Sequence, residues 1–129
     1  MNKFFIDSSA WIEYFAGTEK GRKVQALISK QGVMLFTSGV IVAEVSTKFL
    51  KSNQPADQAV AAMQALASLV SSDFTLGKNA ASAYLHRRRT HPKFALADAH
   101  ALAAARILQG KVITCDHDFL GILEAIVVK

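Results

Sequence analysis

Residues 96–119 read LADAHALAAARILQGKVITCDHDF, and the fold turns on them. The stretch opens as an alanine-rich helical pattern with Asp98 near its start and stops at Gly110. It then passes through a short strand pattern over 111–114 and ends on Asp116 and Asp118. In an α/β layer, a helix that feeds a parallel strand begins at the level where the strands end. Asp98 and Asp116 are therefore expected at one edge of a sheet although they lie far apart along the chain.

Working outward, residues 3–6 form an apolar strand ended by Asp7, and Ser8 or Ser9 stands where it can cap a helix carrying Trp11, Ile12, Tyr14 and Phe15. Gly17 stops that helix. Residues 20–30 turn Val24, Leu27 and Ile28 to one face, and Gly32 precedes a strand over 34–37. Ser38 and Gly39 open a helix over 40–50 that contains Glu44, and Pro55 suits the first turn of a helix over 56–70. A weak third strand is expected at 73–75, then a helix over 77–89 ending in HRRR. His91 and Pro92 break that pattern, and a last strand falls at 125–128. Strands separated by helices predict a three-layer α/β/α domain with a parallel sheet in the order 3-2-1-4-5. In that order Asp7 and Asp116 flank the topological switch point, where open α/β sheets bind ligands. Glu44 lies about one helical turn from the same edge, at roughly 1.5 Å per residue.

Composition sets the outer limits. A chain of 129 residues with 51% hydrophobic content makes one domain with its own core and excludes a disordered chain. Its single cysteine, Cys115, permits no internal disulfide and fits a reducing cytoplasm. No apolar run approaches the ~18 residues needed to span a bilayer, and Asp7 interrupts the N-terminal apolar stretch too early for a signal peptide. A soluble protein with no membrane partner is expected. The net charge is +5. If Asp7, Glu44, Asp98, Asp116 and Asp118 share a pocket, the rest of the chain carries fifteen positive against five negative charges, or +10. A basic body around an acidic hollow suits a polyanion whose reacting group meets the hollow through a cation.

Singly, each acid has a plain structural role: Asp7 as a helix cap, Asp98 as a first-turn acid, Asp116 and Asp118 as turn residues. Glu44 lies among apolar neighbours, where an unpaired carboxylate is costly. Jointly the plain roles weaken, because clustered carboxylates repel one another unless a cation sits among them. With only oxygen donors and no zinc-type cysteine or histidine spacing, Mg²⁺ or Mn²⁺ keeping several waters fits better than zinc. Phosphodiester hydrolysis is the natural use of such a site.

The segments FIDSSAWIE, VIVAEV, LADAHALAAA and TCDHDF, in that order, resemble the PIN domain, and the chain is similar in particular to the small single-domain toxins of VapC type. The resemblance covers the whole chain. It implies a PIN-like fold and a Mg²⁺-dependent ribonuclease whose catalytic, metal-binding acids are Asp7, Glu44, Asp98 and Asp116, with Asp118 as an auxiliary ligand. It also implies supporting hydroxyls at Thr114 and at Ser8 or Ser9, and a cognate antitoxin protein as partner. A homodimer is expected too.

Arg87, Arg88, Arg89 and Lys93 either complement a helix C-terminus or hold RNA phosphates. Trp11, Tyr14 and Phe15 on the first helix, with Val45 and Phe49 on the third, are expected to form an apolar groove for the antitoxin. His100 and His117 read as surface or supporting groups rather than ligands, and Cys115 as a packed residue. A phospho-receiver signalling module shares the fold class, but a receiver needs an aspartate after its third strand, and Asp73 opens the expected strand rather than following it. A non-catalytic RNA-binding domain is a further alternative.

Overall fold

The computed structural model describes residues 2–129. In chain order the elements are β1 (Asn2–Ile6), α1 (Ser8–Ala16), α2 (Glu19–Ile28), β2 (Val33–Thr37), α3 (Gly39–Lys51) and α4 (Asp57–Leu66). They continue with β3 (Ser68–Leu69), α5 (Phe74–Arg88), α6 (Leu96–Leu108), β4 (Lys111–Thr114), a 3-10 turn (His117–Phe119) and β5 (Ala125–Val127). Among the described residues the strands form one parallel sheet ordered β3-β2-β1-β4-β5, as the alternation of patterns predicts.

Register places the acids. Phe5 pairs with Val112 and Ile6 with Ile113, so Asp7 leaves β1 level with Thr114 at the end of β4. The ladder runs one step past the strand, because the Asp7 N–H donates to the Ile113 carbonyl at 2.9 Å. Both central strands are fully buried where they meet, at Phe5, Ile6, Val112 and Ile113, as expected for strands covered on both faces.

Helix α6 packs on β1 and β4 and against α5, and α1 packs against α2 and α3. Its alanines explain the depth of α6: Ala99, Ala101, Ala103, Ala104 and Ala105 are all buried, so apolar residues surround the axis rather than forming one stripe. The helix stops just ahead of Gly110, with Gln109 taking the left-handed conformation at φ 57°, and Gly110 is needed because a Cβ there would drive into the Lys3 carbonyl of β1. Gly17 does end α1 in the left-handed region, at φ 67°.

One strand is displaced from its expected place. The third strand is Ser68–Leu69 and not 73–75, and α4 ends at Leu66 instead of running to 70. Ala67 turns extended, at φ −131° and ψ 152°, which ends the helix. The Asp73 carboxylate accepts the Leu76 N–H at 2.9 Å and so caps α5, which starts at Phe74, ahead of the expected Gly77. Among the described residues no helix is long and apolar enough to cross a membrane.

Candidate active site

The strand ends are joined by a hydroxyl network. Asp7 is buried, and its Oδ2 accepts from the Thr114 hydroxyl at 2.8 Å and from the Ser9 hydroxyl at 3.1 Å. Ser9 also stands 3.1 Å from Thr114 Oγ1 and accepts the Cys115 N–H at 2.9 Å, while Thr114 Oγ1 accepts the Asp116 N–H at 3.0 Å. Of the two serines considered, Ser9 enters this network through its side chain, and Asp7 itself is the N-cap residue of α1. Every donor in the network either orients Asp7 or shapes the turn that carries Asp116.

The remaining acids come from three directions. Asp116 Oδ1 accepts the Asp118 N–H at 2.9 Å, which winds the chain into the 3-10 turn. Asp98 lies in the first turn of α6, where its Oδ2 accepts the Ala95 N–H at 2.8 Å. Glu44 is exposed on α3, because its apolar neighbours Ile41 and Val45 take the core positions of that helix. The desolvation expected from its apolar surroundings in sequence is therefore relieved: the carboxylate faces water.

The acids sense one another. Burial pushes the Asp7 carboxyl up to about 6, with the Glu44 charge adding to the rise and the Thr114 and Ser9 hydroxyls opposing it. Asp98 is pushed up to about 7, chiefly by burial, against the Ala95 hydrogen bond and reinforced by the charges of Asp7, Asp116 and Glu44. Four carboxylates from separate elements thus lie in one electrostatic neighbourhood. Among the described residues no three His, Cys, Asp or Glu side chains are gathered tightly enough to form a ready cage. The all-oxygen donor set, in which Asp7 and Asp98 are raised chiefly by burial, fits a hard divalent ion that keeps several of its waters instead of a fully enclosed one.

The basic run divides. Arg87 donates from Nε and Nη2 to the Asp118 carbonyl, at 3.1 and 2.8 Å, and from Nη2 to the Leu120 carbonyl at 2.7 Å. Arg88 donates to the Tyr84 hydroxyl at 2.8 Å and the Phe94 carbonyl at 3.3 Å, and lies over the Tyr84 ring. These two guanidiniums are engaged within the fold, while Arg89 and Lys93 are exposed.

The expected groove residues divide as well. Trp11 and Val45 are fully buried and belong to the core, so they do not line a groove. Tyr14, Phe15 and Phe49 are half-buried, with the Phe15 and Phe49 rings edge to face at 6.1 Å. Those two phenylalanines line a hollow of about 470 Å³ with Gln54, Pro55 and Gln58, and a second of about 350 Å³ with Ile12 and Lys48.

Sequence reading missed the role of His100, which is buried with its Nε2 2.9 Å from the Ser38 hydroxyl. Burial pushes its imidazole toward the neutral form. No spacing announces this pair, and its one signal is a polar ring inside an otherwise apolar helix.

The model of the PIN domain family matches residues 4–122. This chain belongs to the PIN domain family. In fold, this PIN domain is similar to a toxin-antitoxin complex from Klebsiella pneumoniae, with 22% identity over 97% of each chain and a TM-score of 0.70. It is similar to VapBC2 from Rickettsia felis bound to a promoter DNA fragment, with 9% identity, coverage of 97% and 96%, and a TM-score of 0.74. It is also similar to VapC20 of Mycobacterium tuberculosis, a sarcin-ricin loop cleaving toxin, with 22% identity, coverage of 94% and 97%, and a TM-score of 0.69. No curated protein matches the PIN domain in sequence.

Proposed function

We propose that this PIN domain is a divalent-cation-dependent endoribonuclease and the toxin of a toxin-antitoxin pair. The observation that carries the reading is the electrostatic convergence of Asp7, Glu44, Asp98 and Asp116 at the edge where β1 and β4 end. Asp7, Asp98 and Asp116 would hold Mg²⁺ or Mn²⁺, with Asp118 reaching it through water and Glu44 completing the negative edge. When bound, such an ion polarises a phosphoryl oxygen and eases deprotonation of the attacking water.

The chain's own residues do the rest. Thr114 and Ser9 fix the Asp7 carboxylate, the Ala95 N–H fixes Asp98, and the Asp118 N–H fixes Asp116, so each of these three acids has one oxygen held by a donor. Preorganisation of this kind spares the site reorganisation when charge develops on the phosphate. Exposed Arg89 and Lys93, within a chain of net charge +5, favour the approach of RNA.

The half-buried Tyr14, Phe15 and Phe49, with the hollows the two phenylalanines line, suit the apolar anchors of an antitoxin helix. Structural neighbours that are toxin-antitoxin complexes support a partner of this kind. Self-association as a homodimer and a cytoplasmic location belong to the same reading. With β3 at Ser68–Leu69 an acid, Asp73, does follow the third strand, but a receiver gains little from it, since the Asp73 carboxylate is engaged as the cap of α5, accepting the Leu76 N–H at 2.9 Å.

The deciding experiment incubates the protein with RNA in Mg²⁺, in Mn²⁺ and in EDTA, beside Asp116→Asn. Cleavage in either ion that stops in EDTA and drops at least a hundredfold in the variant is expected. Undamaged RNA in Mn²⁺ leaves a non-catalytic RNA-binding domain, and cleavage in EDTA removes the cation from the mechanism.

A further inference from the structure

Ser38 and His100 lie 62 residues apart in sequence and meet in the interior with 2.9 Å between the hydroxyl and Nε2. Ser38 is 0% exposed and His100 8%. The serine is the N-cap of α3, its oxygen accepting the Ile41 N–H at 3.4 Å. The imidazole stands in the N-terminal part of α6, with its ring at a steep angle to Phe5 of β1 and 6.2 Å between centroids. Helix α3 packs chiefly against α1 and α4. The Ser38–His100 contact therefore ties its start to α6, on the far side of the strand ends.

That tie joins the two helices that supply Glu44 and Asp98. Glu44 is exposed, so the seating of α3 decides where its carboxylate stands relative to the other acids. Asp98 lies close to His100 in the same helix, and it senses the Glu44 charge. A small displacement of the α3 start relative to α6 would carry Glu44 toward or away from Asp98 and break the Ser38–His100 bond. A buried hydrogen bond between polar partners resists such a swing because breaking it leaves both groups desolvated and unpaired.

We infer that His100 is a positioning residue for the acid edge: bonded to Ser38, it fixes the separation of Glu44 from Asp98 and thereby the strength with which the edge holds a divalent cation. The inference rests on the cation reading proposed above. Neither His100 nor Ser38 is among the residues that would hold the ion; each acts through the helix it anchors.

The test uses the full chain with Mn²⁺ alone as probe, free Mn²⁺ being read by electron paramagnetic resonance, and unfolding curves in EDTA beside it. His100→Leu retains a side chain to pack on Phe5 but cannot bond to Ser38, and it should weaken Mn²⁺ binding about tenfold, the lower end for removing the partners of metal ligands. His100→Gln, whose amide nitrogen reaches near the place of Nε2, should recover most of the loss. In a Glu44→Gln background His100→Leu should cost little more, since the carboxylate it positions is gone. Mn²⁺ binding by His100→Leu equal to the parent overturns the inference, as does an equal loss with and without Glu44. Failure of the parent to bind Mn²⁺ instead overturns the cation reading and this inference with it. If His100→Leu does not fold, Ser38→Ala carries the same cycle, with the missing helix cap registering separately in the unfolding curve.

Discussion

Asp7 holds its proton more tightly in the folded chain than in the unfolded one: its carboxyl stands at about 6 against an ordinary 3.8, and Asp98 stands at about 7. Between about 4 and 7 the folded state binds more protons than the unfolded state, so metal-free stability falls as pH rises through that range and is fully recovered only as pH drops below about 4. For Asp7 the displacement corresponds to ~3 kcal/mol against the ionised form. Asp7→Asn should therefore stabilise the metal-free protein by ~1–3 kcal/mol at pH 8 and by about half as much at pH 5, since the amide oxygen can still accept from Thr114 and Ser9. Thermal unfolding in EDTA at the two pH values checks this, and a variant less stable than the parent at pH 8 contradicts it. Cleavage should weaken in the parent as pH falls below ~6, because protonated carboxyls release the cation.

At the scale of elements, the 3-10 turn that carries Asp118 is held by Arg87 through carbonyl groups rather than by packing alone. Arg87→Ala should lower cleavage at saturating RNA by about tenfold, in the range seen for partners that orient ligands, while leaving the salt dependence of binding nearly unchanged. Replacing Arg89 and Lys93 by alanine should do the reverse, lowering the slope of log affinity against log salt by ~0.7 for each phosphate left without its cation. A salt slope that moves with Arg87 and not with Arg89 and Lys93 would reverse these assignments. Sequence reading treated the whole basic run as one object because a charge run carries no mark of which guanidiniums find carbonyls after folding. Strand β4 and helix α6 were legible since each has a strong pattern and clear stops. Strand β3 was not: two residues have no periodicity, and Asp73, read as the start of a strand, is the cap of the next helix.

Across the whole molecule, one sheet order explains why acids scattered along the sequence stand together, and that much followed from patterns alone. The hollows around Phe15 and Phe49 were only partly legible. Tertiary packing drew Trp11 and Val45 into the core and left Phe49 near the surface, a division that helical spacing does not decide. Phe49→Glu should abolish protection by the cognate antitoxin proposed above on co-expression while cleavage of RNA by the isolated variant persists. Binding and inhibition equal to the parent's would place the partner elsewhere.

A parallel sheet also leaves every strand start at the opposite rim, where β2 begins after the exposed turn at 29–32. The acids stand at the other rim, so the turn is a permissive place to graft foreign sequence, since the entropy of opening a surface loop grows slowly with its length. A fluorescent reporter or protease site inserted between Lys30 and Gln31 should leave RNA cleavage within about threefold of the parent. The protein could then be followed or cut at will without touching the acids.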